Sequence, residues 1–290
     1  MTRREQLVSV VIPAYNEEAA LGEVLPSIRS AMEKLREEYE LIVVDDGSTD
    51  RTGEIARTAG ARVIRHPVNR GTGAARTTGV RQAMGDRLVM LDGDGTYPAE
   101  SIPALLQSLE EHDMVVGARR YERGRLPFIR RPTKYFIRRL ASYLVGVEIP
   151  DLNSGMRAFR REAAMQFFSI LPTTHSWVGT ITLAFLANGL SVGFVPIDYY
   201  ARKGPSSFHP IRDTYNYLLL VVRTVMYFNP LKILLPASLT VVGLGVLSTL
   251  LHIIDRGRIQ PMDIILVILG VNLGALGLLA DLIVVSRRDR

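Results

Sequence analysis

Two apolar runs near the C-terminus constrain this chain more than any other feature. From Leu231 to Ile254 the only ionisable side chains are Lys232 and His252, and from Ile264 to Val285 the only one is Asp281. A helix needs about 20 apolar residues to cross roughly 30 Å of hydrocarbon, and each run is long enough. Two buried helices in a soluble core are the alternative, but such helices seldom run this far without polar interruption. Arg202, Lys203, Arg212 and Arg223 precede the first run, Lys232 stands at its start, and Arg287, Arg288 and Arg290 follow the second. The connection carries only Asp255, Arg256, Arg258 and Asp263. The positive-inside bias therefore predicts a membrane hairpin, with the preceding domain and the C-terminus in the cytoplasm. The opening MTRREQ leads straight into a strand-like segment and carries no sign of a signal peptide.

Ahead of the hairpin, short apolar segments alternate with helical patterns. Strands are expected at Leu7–Ile12, Leu41–Val44, Arg62–Arg65, Leu88–Leu91, Met114–Gly117 and Ser191–Tyr199. Helices are expected over 17–36, 73–84 and 101–111, and Ile137, Leu140, Ala141 and Leu144 share a helical stripe over 134–145. Phe167 and Phe168 are expected to pack a helix on the sheet. The alternation predicts an α/β fold with a mostly parallel sheet covered on both faces. The segment from about Asp213 to Tyr227 mixes apolar residues with Arg223 and reads as an amphipathic helix before the first span. The expected organisation is thus a domain over 1–210, a juxtamembrane helix over 211–230 and a hairpin over 231–290, with spans at about 231–254 and 264–285.

Composition excludes some chemistry. The chain has no cysteine, so disulfides, thiolate nucleophiles and cysteine-based zinc sites are absent. The net charge of +6 would suit nucleic acid, but much of the surplus lies in 119–139 and beside the spans. Anionic lipid headgroups account for that placement more simply, and no nucleic-acid partner is expected.

In a parallel sheet, ligands bind beyond the carboxyl ends of the strands. Three polar clusters fall there: Pro13-Ala14-Tyr15-Asn16-Glu17, Asp45-Asp46-Gly47-Ser48 and Asp92-Gly93-Asp94. Asp92 and Asp94 can approach one hard cation together, and Mg²⁺ or Mn²⁺ bridging to a diphosphate suits such oxygen ligands. An Asp-Gly turn with solvated carboxylates is the plainer reading. Asp45 and Asp46 can accept hydrogen bonds from a ribose or a base, or can cap the turn that follows through Ser48 or Asp50. Tyr15 can stack on a base or form part of the rim. Asn69-Arg70-Gly71-Thr72-Gly73 has the look of a phosphate loop at a helix start, or its glycines allow a tight approach to the helix. It lacks G-x-G-x-x-G after the first strand and has no G-K-[ST], which argues against a nicotinamide dehydrogenase and a P-loop ATPase. Arg119, Arg120, Arg123, Arg125, Arg130, Arg131 and Lys134 form a basic stretch, with Arg138 and Arg139 beyond. They are solvated surface or lipid contacts, or a few of them grip a lipid phosphate. His112, His175 and His209 show no metal-ligand spacing.

The strings VVIPAYNEE (10–18), VVDDGSTD (43–50), NRGTGAA (69–75), LDGDG (91–95) and DLNSGMRAFR (151–160) resemble those of family 2 glycosyltransferases. With the C-terminal spans, they resemble the polyprenyl- or dolichyl-phosphate sugar synthases over about residues 7–210. The resemblance implies a GT-A fold, Rossmann-like, with the hairpin appended. It places Pro13, Tyr15, Glu17 and Asp46 around the base and ribose of the nucleotide; Ala14, Asp45 and Gly73, from the strand-end clusters and the glycine loop, are further candidates to line it. Asp92, Gly93 and Asp94 match the D-x-D element that holds the metal and sugar diphosphate; the family commonly has alanine where Gly93 stands. Asp151 to Arg157 matches a loop near the sugar. Arg119, Arg130 and Arg202 correspond to residues that hold the lipid phosphate or the diphosphate. Lys134 falls where the family often has serine. Residues 202–207 resemble a mobile loop over donor and metal, without its usual serine-lysine ending.

The implied activity is inverting, metal-dependent transfer of a hexosyl residue from a nucleotide sugar to a polyprenyl or dolichyl phosphate at the bilayer. The expected cofactor is Mg²⁺ or Mn²⁺, and a homo-oligomer is compatible with the sequence. UDP-glucose stands first among donors and GDP-mannose next, with UDP-N-acetylglucosamine and uronic-acid donors also fitting; no residue decides between them. A processive polysaccharide synthase needs more spans and a Q-x-x-R-W element that is absent. A catalytically silent membrane scaffold would bind the donor without transferring its sugar.

Overall fold

The computed structural model describes residues 7–120, 138–143, 145–201, 219, 222–223 and 226–288. The chain divides into two compact units, 1–143 with 147–220, and 221–290 with 144–146. Most of the segment expected to form the juxtamembrane helix lies outside the described residues.

The first unit is built on a seven-stranded sheet. Its strands are β1 (Val8–Ala14), β2 (Tyr39–Asp45), β3 (Arg62–Arg65), β4 (Arg87–Met90), β5 (Met114–Arg119), β6 (Arg157–Arg160) and β7 (Val192–Ile197), in the order β3-β2-β1-β4-β6-β5-β7. The helices between them are α1 (Glu18–Leu35), α2 (Thr52–Thr58), α3 (Thr72–Gln82), α4 (Ile102–Leu109), α5 (Arg161–Met165) and α6 (Trp177–Ala187). All seven residues of β1 are buried, as expected of a parallel strand covered on both faces. α1 turns Leu21, Val24, Leu25, Ile28 and Met32 onto this core, where they meet Val10, Ile12, Leu41 and Val43. Arg36 ends α1 in the left-handed region at φ 56°.

β6 is antiparallel to both β4 and β5, and its pattern was not read as a strand from the sequence. Its four residues, Arg-Ala-Phe-Arg, are too short for a clear alternation. The reversal matters for function, because it brings the start of β6 to the edge where the parallel strands end. α6 is an apolar helix buried from Trp177 to Phe185, and Phe167 packs on Phe185 with centroids 5.4 Å apart. Phe168 instead lies under Arg81. The 134–145 stripe survives as helix over 138–143, with Ala141 fully buried; Ile137 and Leu144 lie outside the described residues.

The second unit holds α7 (Leu231–Arg256) and α8 (Pro261–Arg288). Their membrane-spanning stretches are Leu231–Asp255 and Pro261–Ser286, with mean hydropathies of 2.0 and 2.2. The chain is an integral membrane protein. Gly257 closes α7 in the left-handed region, its N–H donating to the Ile253 carbonyl. Small residues let the helices touch: a Cβ on Gly270 would fall 2.7 Å from the Val242 nitrogen, and one on Gly277 would fall 2.9 Å from Leu234 Cβ. Ser238 Oγ donates to the Gly270 carbonyl at 2.7 Å, which satisfies the hydroxyl inside the pair.

Candidate functional site

The carboxyl ends of β1, β2, β4, β5 and β7 lie at one edge of the sheet, together with the start of β6. The switch in chain order falls at β1, which has β2 on one side and β4 on the other. Beyond β1, Asn16 sits in the left-handed region at φ 54°, a conformation asparagine tolerates better than most residues. Its N–H donates to Ser48 Oγ and its Oδ1 accepts from the Thr49 N–H, so the loops after β1 and β2 are stitched together. Tyr15 is left exposed beside them, whereas Glu17 is buried and its N–H donates to Thr52 Oγ1. Pro13 and Ala14 belong to the strand itself and are buried.

Asp46 is buried and taken up by the chain's own donors. It accepts from the Arg70 N–H at 3.0 Å and the Gly71 N–H at 2.8 Å, and pairs with His66 Nδ1 at 2.6 Å. With its proton on Nδ1, His66 accepts from Thr78 Oγ1 through Nε2. Asp46 therefore folds residues 69–71 into place. Asp45 accepts from the Ser48 N–H, the capping role, while its buried Oδ2 lacks a hydrogen-bond partner and lies 3.5 Å from Arg65 Nε.

Protein acceptors take up part of each helix start at this edge. Asp50 takes the N–H of Glu18 in α1 and of Thr52 in α2. The Thr173 carbonyl takes the N–H groups of Gly73 and Ala74 in α3. A Cβ on Gly73 would fall 2.6 Å from Thr173 C and from the Thr174 carbonyl oxygen. Of the two readings of Asn69–Gly73, the close contacts match glycines that admit a neighbouring backbone, and the Gly73 and Ala74 N–H groups are already engaged.

Asp92 follows β4 and accepts from Arg76 Nη2 at 2.6 Å. Asp94 is buried and accepts from the N–H and hydroxyl of Thr96. Gly93 lies against Leu21, Ile12 and Ala14, with room for little more than a methyl group. Two carboxylates are hard donors that fit Mg²⁺ or Mn²⁺. Among the described residues no set of three or more His, Cys, Asp or Glu side chains converges, so a cation here would complete its shell with substrate oxygens and water.

Asp151 is the hub of the other half. It accepts from Arg119 Nε at 2.7 Å, Nη2 at 3.0 Å and the Arg119 N–H, and from the Asn153 N–H. Burial pushes its carboxyl up, but the hydrogen bonds and charge of Arg119 outweigh this and hold it below the usual carboxylate range. The Arg119 guanidinium also lies 5.1 Å from the Tyr199 ring centroid, and Tyr199 meets Tyr97 edge-on at 5.3 Å. Tyr97 Oη accepts from the Gly155 N–H at 2.6 Å. Burial first, then the Asp92 charge, raises this phenol far above its ordinary value and keeps it protonated. Arg157 is completely buried, and its guanidinium donates to the Ser154 and Val178 carbonyls and Thr182 Oγ1. Burial, with repulsion from Arg76 next, pushes it down to about 9, so it stays charged at neutral pH. Arg157 thus supports the 151–157 loop from beneath.

Arg130, Lys134 and Arg202 lie outside the described residues. Arg76, Tyr97, Tyr199 and His66 were not singled out from the sequence, and Gly155 only as part of the 151–157 loop. The available signal for Arg76 was its place directly after NRGTGAA, on the helix that leaves the glycine loop.

The family model for glycosyl transferase family 2 matches residues 9–168. The model for the GtrB C-terminal hairpin matches 229–285. An undecaprenyl-phosphate 4-deoxy-4-formamido-L-arabinose transferase of Pseudomonas fluorescens is 33% identical over 260 residues, covering 87% of this chain and 74% of that one. A dolichyl-phosphate hexose transferase of Haloferax volcanii is 35% identical over 206 residues, covering 70% and 87%. Among solved structures, glucosyl-3-phosphoglycerate synthase from Mycobacterium tuberculosis, in complex with Mn²⁺, UDP and glucosyl-3-phosphoglycerate, superposes with a TM-score of 0.59 at 26% identity, covering 76% and 79%. The sheet order, the paired carboxylates and the C-terminal hairpin agree with these matches: the chain belongs to glycosyl transferase family 2 and is of the polyprenyl- or dolichyl-phosphate sugar transferase type.

Proposed function

We propose that this enzyme transfers a hexosyl residue from a nucleotide diphosphate sugar to the phosphate of a polyprenyl or dolichyl phosphate. The product is a lipid-monophosphate sugar with inverted anomeric configuration. The observation that carries this reading is the meeting, at one sheet edge, of the Asp92–Asp94 pair with the Arg119–Asp151 pair, in a chain that ends in a membrane hairpin. The names of the relatives support the lipid-phosphate acceptor.

The nucleotide is assigned to the space beyond β1 and β2, with Tyr15 offered for stacking and Asp46 shaping the floor through residues 69–71. The partly occupied helix starts support metal dependence. With the N–H groups of Glu18, Thr52, Gly73 and Ala74 engaged, a diphosphate has fewer backbone donors at this edge and draws on another source of positive charge. Asp92 and Asp94 are the residues to hold Mg²⁺ or Mn²⁺, which when bound would neutralise charge on the departing diphosphate. A phosphate monoester is already anionic at neutral pH, so the acceptor needs no strong base. The protein's work is to align phosphate and anomeric carbon and to stabilise charge. Arg119 is held by Asp151 at the acceptor side, Arg130 and Arg202 keep the phosphate-binding roles that the family pattern implies, and Lys134 adds positive charge to the same basic stretch. The catalytic domain is assigned to the cytoplasm by the charge bias around the spans.

UDP-glucose is the first donor to test, and the Mn²⁺ and UDP complex of the mycobacterial neighbour favours a uridine nucleotide. The experiment is a panel of UDP-glucose, GDP-mannose, UDP-N-acetylglucosamine and a UDP-uronic acid, each with undecaprenyl and dolichyl phosphate, with and without Mn²⁺. Lipid-extractable sugar that requires the lipid phosphate supports the proposal. Donor binding without transfer to any lipid in the panel favours the silent scaffold.

A further inference from the structure

Asp92 is braced by two groups outside the Asp92-Gly93-Asp94 element, Arg76 and Gly155, and the second is itself held by Tyr97. Arg76 Nη2 donates to Oδ1 at 2.6 Å. Arg76 is only 3% exposed, and its Nε and Nη1 have no hydrogen-bond partner, so Asp92 is the one acceptor of this buried guanidinium among the described residues. An unpaired charge there would be strongly unfavourable, which ties the two side chains together.

Gly155 lies against the rest of the carboxylate. A Cβ at this position would fall 2.9 Å from Asp92 Cγ and nearer still to Oδ2, so any larger residue would displace the carboxylate or the backbone. Tyr97 fixes Gly155 in turn, by accepting its N–H at 2.6 Å from a ring held edge-on against Tyr199. Between these contacts the Asp92 side chain keeps 29% of its surface open. The open part is what a ligand can reach.

We propose that Arg76, Gly155 and Tyr97 are positioning residues that hold Asp92 in one orientation toward a divalent cation, so that cation affinity is set from outside the metal carboxylates themselves. The inference rests on Asp92 and Asp94 being those carboxylates. A fixed carboxylate meets an incoming cation without first being ordered, which is the general advantage of a supported site. It also ties the donor side to the loop that carries Asp151, because Gly155 belongs to that loop and packs against Asp92.

The sign of the effect separates this idea from plain electrostatics. Arg76 is a cation beside the site, so charge alone predicts that Arg76→Met tightens cation binding. Positioning predicts the reverse, and outer-shell partners of metal ligands typically change affinity about 10–100-fold. The test is Mn²⁺ titration of the full chain in lipid nanodiscs, followed by electron paramagnetic resonance, with UDP present and with GDP in parallel. Arg76→Met is expected to weaken Mn²⁺ binding about tenfold or more, and Arg76→Lys to restore part of it. Tyr97→Phe removes only the hydroxyl; it is expected to weaken Mn²⁺ binding to a smaller extent, and it serves as the readout should Arg76→Met fold poorly. Unchanged or tighter binding in Arg76→Met, or unchanged binding in a well-folded Tyr97→Phe, overturns the brace. Should Asp94→Asn bind Mn²⁺ as well as the parent chain does, the metal reading fails, whatever Arg76 does.

Discussion

Replacing Gly73 with alanine should destabilise the catalytic domain far more than the same change at Gly93, although both glycines lie in chemistry-bearing segments. The Gly73 Cβ would meet backbone atoms on Thr173 and Thr174 at 2.6 Å, and backbone cannot swing aside as a side-chain end can. Overpacking of this kind costs about 1–3 kcal/mol, occasionally more. Relief by moving residues 172–174 gives up the hydrogen bonds from Gly73 and Ala74 to the Thr173 carbonyl, about 1 kcal/mol each. The total is about 3–5 kcal/mol, or a fall in Tm of roughly 6–20 °C for a domain of this size. At Gly93 the nearest atoms are side-chain ends, Leu21 Cδ1 at 3.2 Å and Ile12 Cγ2 at 3.3 Å. A modest clash there is offset by about 0.4–1 kcal/mol from a stiffer unfolded chain. Trp177 is the only tryptophan, is fully buried and donates from Nε1 to Thr77 on α3, so its emission reports the segment in question. Thermal unfolding followed by that emission is the assay. A Gly73→Ala melt within about 2 °C of the parent, less than 1 kcal/mol on this scale, would refute the packing argument.

Asp151 should make an acid-sensitive contribution to stability. Its folded pKa is lowered, so the contribution is complete above the unfolded value of about 3.9 and is lost as pH falls through the folded value. The difference in unfolding temperature between the parent and Asp151→Asn should therefore be constant from pH 7 to about 5 and shrink below about 4; a constant gap down to the most acid point measured speaks against it. Asp46→Asn should loosen residues 69–71, costing about 2–3 kcal/mol as one of the charge-assisted hydrogen bonds from Arg70 and Gly71 is lost and the other loses its charge. Faster amide exchange at those residues is the expected readout, and unchanged exchange with weakened nucleotide binding would make Asp46 a direct ligand contact. Asp94→Asn should abolish Mn²⁺-stimulated transfer while leaving membrane insertion intact. Full activity in that variant would remove Asp94 from the site.

The strands and long helices were legible because buried parallel strands need unbroken apolar runs and helices need a stripe. The spans were legible for the same reason, since lipid leaves no place for frequent charge. β6 was not, because four residues flanked by arginines offer neither signal. The strand-end carboxylates were visible, but not what they touch. Asp46 meets N–H groups 24 and 25 residues further along the chain, and nothing local separates such a carboxylate from one that waits for a ribose. The Thr173 carbonyl that closes α3 is more distant still, and a backbone acceptor leaves no mark on side-chain pattern. Arg76 was hidden differently: its meaning lies in burial against Asp92, which only the packed helix reveals.

The identity of the leaving group tests the central claim most directly. Incubation of the nanodisc-embedded chain with Mn²⁺, lipid phosphate and the donor that the panel selects should release a nucleoside diphosphate in one-to-one ratio with a lipid-monophosphate hexose, as read by intact-product mass spectrometry. Release of a nucleoside monophosphate with a lipid diphosphate sugar would show that the chain transfers a phosphosugar instead, and would contradict the account.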